Sequence, residues 1–339
     1  MRIPEPSFAH LLGLTDDTGL FEHARHLLPR RDRGYTTDDV ARALVAVCRQ
    51  PDPEPELVRA SLTYAGFLDH ARRPDGSFHN RLSFDRRFTD VVGSEDCQGQ
   101  ALWALGTATR LASQPWLREL SADHLRHTPD QHWSSPRATA FAILGFVEAM
   151  ASDLSDPHFT GLLQGAARRL PRPSPGNWPW PERRLAYCNA RLPEALLAAG
   201  AALADASMLD DGLRLLAWLV EVETSGGHFS FTPTGGWEEG EPRPGFDQQP
   251  VEAAAMADAA AQAWRVTGDP KWAKRVVMAA EWLLGNNDGG MALYDSATGA
   301  CHDGLTSRGV NANAGAESTL SAILVLQQAR LVLSAEGGE

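Results

Sequence analysis

Six times along the chain, a loop rich in acidic, amide and aromatic residues runs directly into an Ala/Leu-rich helical segment that is apolar on every face. The clearest case is Gly34-Tyr35-Thr36-Thr37-Asp38-Asp39-Val40-Ala41-Arg42-Ala43-Leu44. A helix without a polar face has to be surrounded by protein. The pattern therefore sets polar chemistry, repeatedly, at one end of what must become the core.

Two kinds of helix follow from the periodicity. One kind begins near Thr37, Glu95, Ser135, Asn189, Gln248 and Asn313 and is packed with small and aliphatic residues, as in Ala138-Thr139-Ala140-Phe141-Ala142-Ile143-Leu144-Gly145. These helices are predicted to be interior. The other kind, near 54–72, 115–126, 157–170, 207–223 and 269–284, gathers its charges on one side and is predicted to be exterior. A helical segment over roughly Ser7 to His26 supplies a sixth exterior member. The alternation describes an all-α fold, the (α/α)6 toroid, as a single domain over residues 1–339. Only short pieces such as Gly227-His228-Phe229-Ser230-Phe231 suggest strand, as a loop hairpin. The Pro-rich segment 171–188 carries Trp178, Trp180 and Tyr187, which argues against a flexible linker between two domains.

Composition narrows the partners. The 339 residues are 43% hydrophobic, enough for a large core, and 31 basic against 43 acidic residues give a net charge of −12. That balance disfavours nucleic acid and anionic membrane and favours a neutral or cationic ligand. Cys48, Cys97, Cys188 and Cys301 are scattered without a CxxC pair, so they read as reduced thiols, and no metal or other cofactor is expected. The N-terminus lacks the apolar run of a signal peptide, and the apolar stretch near Ala138 to Val147 is too short to span a bilayer. A soluble, cytoplasmic protein is the expectation.

Parallel interior helices would bring all six decorated loops to one mouth. Four entrances carry carboxylates: Asp38 and Asp39, Glu95 and Asp96, Asp247 and Glu252, and Asp303 ahead of Glu317. Helix capping alone would explain any one of them, since such residues stabilise N-termini by about 0.5–2 kcal/mol. A cap needs one carboxylate or amide, however, and these loops hold two or more beside aromatics. Sugar rings present hydroxyls for Asp, Asn, Gln and Arg and an apolar face for Trp or Tyr. Tyr35, Trp178, Trp180, Tyr187 and Trp237, with Asn177, Asn189, Gln248, Gln249, Asn311 and Asn313, fit that ligand. Trp103, Trp133 and Trp282 fall in or beside helices and read as core. Arg42, Arg137 and Arg191 lie where an unpaired charge is costly, so each is expected to pair with a carboxylate. His79, His228 and His302 lie in plausible loops, where a lone histidine is more often a hydrogen-bonding residue than a catalyst.

Glycosidic cleavage requires one protonated and one ionised carboxyl group. Adjacent Asp38 and Asp39 would separate their proton affinities by like-charge repulsion, with Glu95, Asp96, Glu252 and Glu317 as further candidates. An inverting pair would stand about 6.5–9.5 Å apart and a retaining pair about 5–5.5 Å.

The sequence resembles a family of bacterial (α/α)6 proteins associated with glycosyltransferases and mannoside-processing genes, found alone or fused behind a sugar-nucleotide transferase domain. The matching segments are 34–44, Ser94-Glu95-Asp96-Cys97-Gln98-Gly99-Gln100-Ala101-Leu102-Trp103-Ala104-Leu105-Gly106, 189–197, Phe246-Asp247-Gln248-Gln249-Pro250-Val251-Glu252, Asp303-Gly304-Leu305 and 311–319. It departs from the commoner wording at Thr37 and Gln100, leaving the acidic positions intact. The Tyr-then-Asp-Asp order is also similar to that of toroidal endo-mannanases. That resemblance implies a metal-independent glycosidase acting on mannose- or glucose-containing oligosaccharides, with Asp38 and Asp39 as the reacting pair and His302 and Asp303 among the residues around the sugar. A non-catalytic glycan-binding module serving a separate glycosyltransferase is the alternative, and a sugar epimerase a third.

Overall fold

The computed structural model describes residues 2–128, 132–152 and 156–336. Its helices are α1 (Ala9–Gly13), α2 (Thr37–Cys48), α3 (Pro55–Ala71), α4 (Glu95–Leu111), α5 (Pro115–Arg126), α6 (Pro136–Met150), α7 (Pro157–Arg169), α8 (Arg191–Leu203), α9 (Ala206–Val222), α10 (Pro250–Thr267), α11 (Pro270–Leu283) and α12 (Ala316–Glu336). From α2 onward, buried and half-exposed helices alternate. In α4 every residue from Cys97 to Thr109 is buried, whereas α5 buries only Leu117, Ser121, Ala122 and Leu125. This is the all-α, (α/α)6 toroid class that the periodicity predicts.

Local chemistry fixes the helix starts. Proline stands in the first turn of α3, α5, α6, α7, α10 and α11, where its missing N–H costs nothing. Asp156, Asp205 and Asp269 cap the half-exposed α7, α9 and α11 through side-chain bonds to backbone N–H groups. One predicted helix is absent: Ser7 to His26 forms only the short α1. Asp16 Oδ1 accepts the Thr18 and Gly19 N–H groups at 2.8 and 3.1 Å, closing a turn that stops the helix. Extended pieces at Ala24–Arg25 and Leu28–Pro29 follow.

The chain forms two compact units. One comprises residues 1–11, 25–27 and 171–339 and the other 12–24 and 28–170. The second unit holds α2 to α7, and its centre depends on backbone approach. A Cβ on Gly106 of α4 would lie 2.0 Å from the carbonyl oxygen of Gly145 in α6, and one on Gly145 would lie 2.2 Å from that of Leu102. Backbone cannot retreat as a side chain can. Gly106→Ala is expected to cost about 3 kcal/mol, at the upper end for overpacking, read as a lowered urea midpoint; a loss below about 0.5 kcal/mol would refute this account.

The first unit holds α8 to α12. Over Ala316–Ala335, α12 is long and apolar enough to cross a membrane by composition, but 67% of that window is buried within the protein. Its apolar surface is thus spent on packing. Short two-residue ladders order the loops, including Tyr35–Thr36 with Arg81–Leu82 in the second unit and Arg184–Leu185 with Trp237–Glu238 in the first. The hairpin expected around Gly227 is present, with Thr224 opposite Phe229.

Candidate functional site

In the unit of α2 to α7, the entrance to α2 is a layered polar assembly. The Thr36 hydroxyl does not cap the helix. It donates instead to Asp39 Oδ2 at 2.8 Å, while Arg42 Nη1 binds Asp39 Oδ1 at 2.8 Å. Asp39 is buried with both oxygens engaged, one of them in an ion pair with Arg42. Asp38, one residue earlier, is only half-buried. The two aspartates differ in burial, beyond the mutual repulsion inferred from sequence.

The loop 79–94 closes over this entrance. Thr37 donates its N–H to Asn80 and its hydroxyl to the His79 carbonyl at 2.6 Å. Asp90, which the sequence reading did not single out, accepts the Asn80 and Arg81 N–H groups at 2.7 and 3.0 Å. His79 stacks on Phe88 with ring centroids 4.5 Å apart and binds the Asp90 carbonyl through Nδ1 at 3.0 Å. The buried Cys97 thiol is pushed well up, first by desolvation and then by the fields of Asp38, Asp90 and Asp96. Those three carboxylates, drawn from two helix entrances and the intervening loop, are therefore all near enough to the thiol to disfavour its ionisation.

Glu95 is used differently. It accepts the Ser134 and Ser135 N–H groups at 3.1 and 2.6 Å and the Ser134 hydroxyl at 2.9 Å. Burial alone would raise its proton affinity, but these bonds outweigh it and the pKa is lowered. Asp96 takes the Ser135 hydroxyl at 2.7 Å, and the same hydroxyl accepts the Ala138 N–H to cap α6. Arg137 is buried in that first turn. Tyr35 is 1% exposed, stacks on Phe21 and donates to Asp16 at 2.6 Å. It is an anchor of the core, with no ring face open to a ligand.

In the unit of α8 to α12, Glu252 clamps the loop ahead of α8, accepting the Cys188 N–H at 2.5 Å and the Asn189 N–H at 3.1 Å. Asn189 is itself fully buried, its Oδ1 receiving the Ala186 N–H. Arg191 lies between Glu194 and Asp258 at 2.6 and 2.7 Å, and Gln328 donates to the other Asp258 oxygen at 2.6 Å. Gln248, also fully buried, holds Phe231 N–H and Trp282 Nε1–H on its carbonyl oxygen and donates to Gly245 O and Asp288. Asn189, Arg191 and Gln248 thus build the unit's interior.

The remaining candidates fall into turns or at the surface. Asp303 accepts the Gly315 N–H, Asn313 the His26 N–H and Asn311 the Asn313 N–H, which together shape the approach to α12. Glu317 is half-buried in the first turn of α12, Asp247 is exposed, and Gln249 precedes α10 without a side-chain cap. Half-buried His302 has no partner on Nδ1 among the described residues. Trp178 meets Trp218 and Trp237 edge-on at 5.0 and 5.6 Å; Trp180 is 1% exposed, and Tyr187 is 44% exposed.

One pairing escaped the sequence reading. His228 Nε2 lies 2.9 Å from Asp288 Oδ1, while Ser230 donates to Asp288 Oδ2 at 2.5 Å. Burial would raise the Asp288 pKa, yet the bonds from Ser230, His228 and Gln248 lower it, so Asp288 is an ionised partner that orients the imidazole. The 60 residues between His228 and Asp288 hide the pair from any local motif. Nearby, Glu223 is 2% exposed and accepts the Thr232 N–H and hydroxyl at 3.0 and 2.6 Å. Desolvation outweighs those bonds and pushes its pKa up to about 7. The folded chain therefore retains a proton that the unfolded chain releases near pH 4.3. Stability from this group is complete below that value and declines as pH rises through 7, on the order of 3 kcal/mol in all. Glu223→Gln should flatten the fall in melting temperature between pH 5 and 8; an unchanged slope would refute the assignment.

No family model and no curated protein matches the sequence. Solved structures share the fold. A sugar epimerase from a ruminal bacterium superposes with a TM-score of 0.72 at 11% identity, covering 95% of each chain. A D-mannose isomerase gives 0.68 at 14%, covering 95% of this chain and 94% of its own. The GH76 α-mannanase of Bacteroides thetaiotaomicron gives 0.62 at 10%, covering 90% and 88%.

Proposed function

We propose that the protein is a carbohydrate-active enzyme, and that its chemistry is hydrolysis of a glycosidic bond in a mannose- or glucose-containing oligosaccharide. The observation that carries this reading is the division of labour within Asp38-Asp39. Asp39, held by Arg42 and Thr36, is a fixed negative charge suited to stabilising an oxocarbenium-like transition state. Asp38, half-buried beside it, is the group placed to exchange a proton. Asp96 is the second carboxyl of the same unit. Glu95 sets the 134–135 loop in place. The fold's occurrence in an α-mannanase supports the substrate class.

His228 with Asp288 favours a second reading, epimerisation or isomerisation at the carbon next to a sugar carbonyl. An imidazole oriented by an ionised carboxylate is a suitable base for that proton, and an epimerase and an isomerase share the fold. One experiment separates the two. Manno- and gluco-oligosaccharides are incubated with the protein in D2O, reducing ends are assayed, and deuterium at C2 is read by NMR. New reducing ends without C2 exchange support the hydrolase. Exchange that falls by about 10²-fold or more in His228→Asn supports the isomerising enzyme. Neither product across the panel would sink both.

A further inference from the structure

The unit of α8 to α12 contains a cavity whose lining includes none of these carboxylates. Ser174, Pro175, Gly176, Asn177 and Pro179 of the Pro-rich loop face Arg214, Trp218, Glu221 and Val222 of α9 across a cavity of about 450 Å³. That volume falls in the range of small-molecule sites, roughly 300–1,000 Å³. The loop wall is pre-ordered: the Ser174 N–H binds the Pro179 carbonyl at 2.9 Å, four prolines between 171 and 179 restrict the backbone, and Gly176 takes φ +106°, which a side chain would resist. The opposite wall is equally supported. Trp218 is half-buried, with Trp180 stacked at 6.2 Å and Trp178 edge-on at 5.0 Å, so its indole cannot easily turn away.

The lining chemistry is mixed. One indole stands beside an amide, a guanidinium and a carboxylate. Arg214 spends Nη2 on Asp211 at 2.8 Å, and among the described residues neither Asn177 nor Glu221 makes a side-chain hydrogen bond. A charged metabolite would meet opposite charges from Arg214 and Glu221. A pyranose, neutral and amphipathic, satisfies all four groups at once: its apolar face lies on the indole, and its hydroxyls donate to Glu221 and accept from Arg214 and Asn177.

We propose that this cavity is a binding subsite for one hexose unit of a glycan. The inference rests on the carbohydrate reading above but uses none of its residues. Ordering a rigid aromatic before binding lowers the entropic cost of association.

The test uses mannohexaose and cellohexaose as probes, with binding measured by calorimetry on the full chain and turnover measured on both hexasaccharides and the corresponding disaccharides. Trp218→Ala is expected to weaken binding of one hexasaccharide by at least about tenfold, as for truncation of a central aromatic, with disaccharide turnover unchanged. Trp218→Phe should retain part of the affinity. Asn177→Ala and Glu221→Gln, which disturb no packing, should each weaken binding by about threefold or more, so the inference is decided even if Trp218→Ala misfolds. Hexasaccharide binding that is indifferent to Asn177 and Glu221 would overturn the subsite while leaving the catalytic reading intact. Turnover of disaccharides with no hexasaccharide binding would do the same. Subsite binding without any turnover would support the inference and count against the catalytic reading alone.

Discussion

Asp38→Asn is expected to lower turnover of the responsive oligosaccharide by about 10²–10⁴-fold, the usual contribution of a positioned proton-transfer group, with little change in melting temperature. The reason lies in what each aspartate already does. Asp39 is bonded to Thr36 and to the buried Arg42 guanidinium, so altering it would break a buried ion pair and confuse catalysis with stability. Asp38 is half-buried, and the amide is nearly isosteric with the acid, so the chemistry should be lost with the fold retained. Steady-state kinetics should show the loss in kcat as well as in kcat/KM, because the proton moves only in the transition state. A variant retaining more than about a third of wild-type kcat would remove Asp38 from the mechanism.

Arg191→Met should be the most destabilising single change among the predicted site residues, costing about 3–5 kcal/mol. Arg191 is 3% exposed, with Glu194 and Asp258 at 5% and 1%. Burial would depress the guanidinium's proton affinity, but the two carboxylates more than compensate and raise it. Removing the arginine leaves two buried anions facing each other. The denaturant midpoint should fall with the slope unchanged, and adding Glu194→Gln and Asp258→Asn should restore part of the loss by deleting the stranded charges. A midpoint shift equivalent to less than about 1 kcal/mol would show that the triad is not a closed ionic unit.

These expectations indicate which parts of the molecule its sequence discloses. Helices α2 to α12 could be placed from periodicity because burial on all faces and burial on one face leave different residue patterns, as Ala138–Gly145 and Pro270–Val277 show. The N-terminal segment misled, because Leu11, Leu12 and Leu14 suggest a helix while the bonds from Asp16 that end it depend on the path of the turn. Within the site, residue types pointed to polar entrances but could not tell a substrate contact from a structural bond. Gln248 and Asn189 have sugar-binding chemistry, yet both are fully buried and spend their donors and acceptors on neighbouring backbone and side chains. Asp90 and Asp288 were illegible for the converse reason: each acquires its meaning from partners that only the folded loops supply.

The Glu252 clamp also bears on the order of assembly. The N–H groups of Cys188 and Asn189 find their acceptor 63 or 64 positions later in the chain. A polypeptide emerging N-terminus first at about 5–20 residues per second exposes the 186–190 loop for several seconds before α10 has left the ribosome. Through that interval the start of α8 has no carboxylate to close it. Completion of this entrance therefore waits on α10, so a later-emerging helix of the first unit governs when its earlier loop becomes ordered.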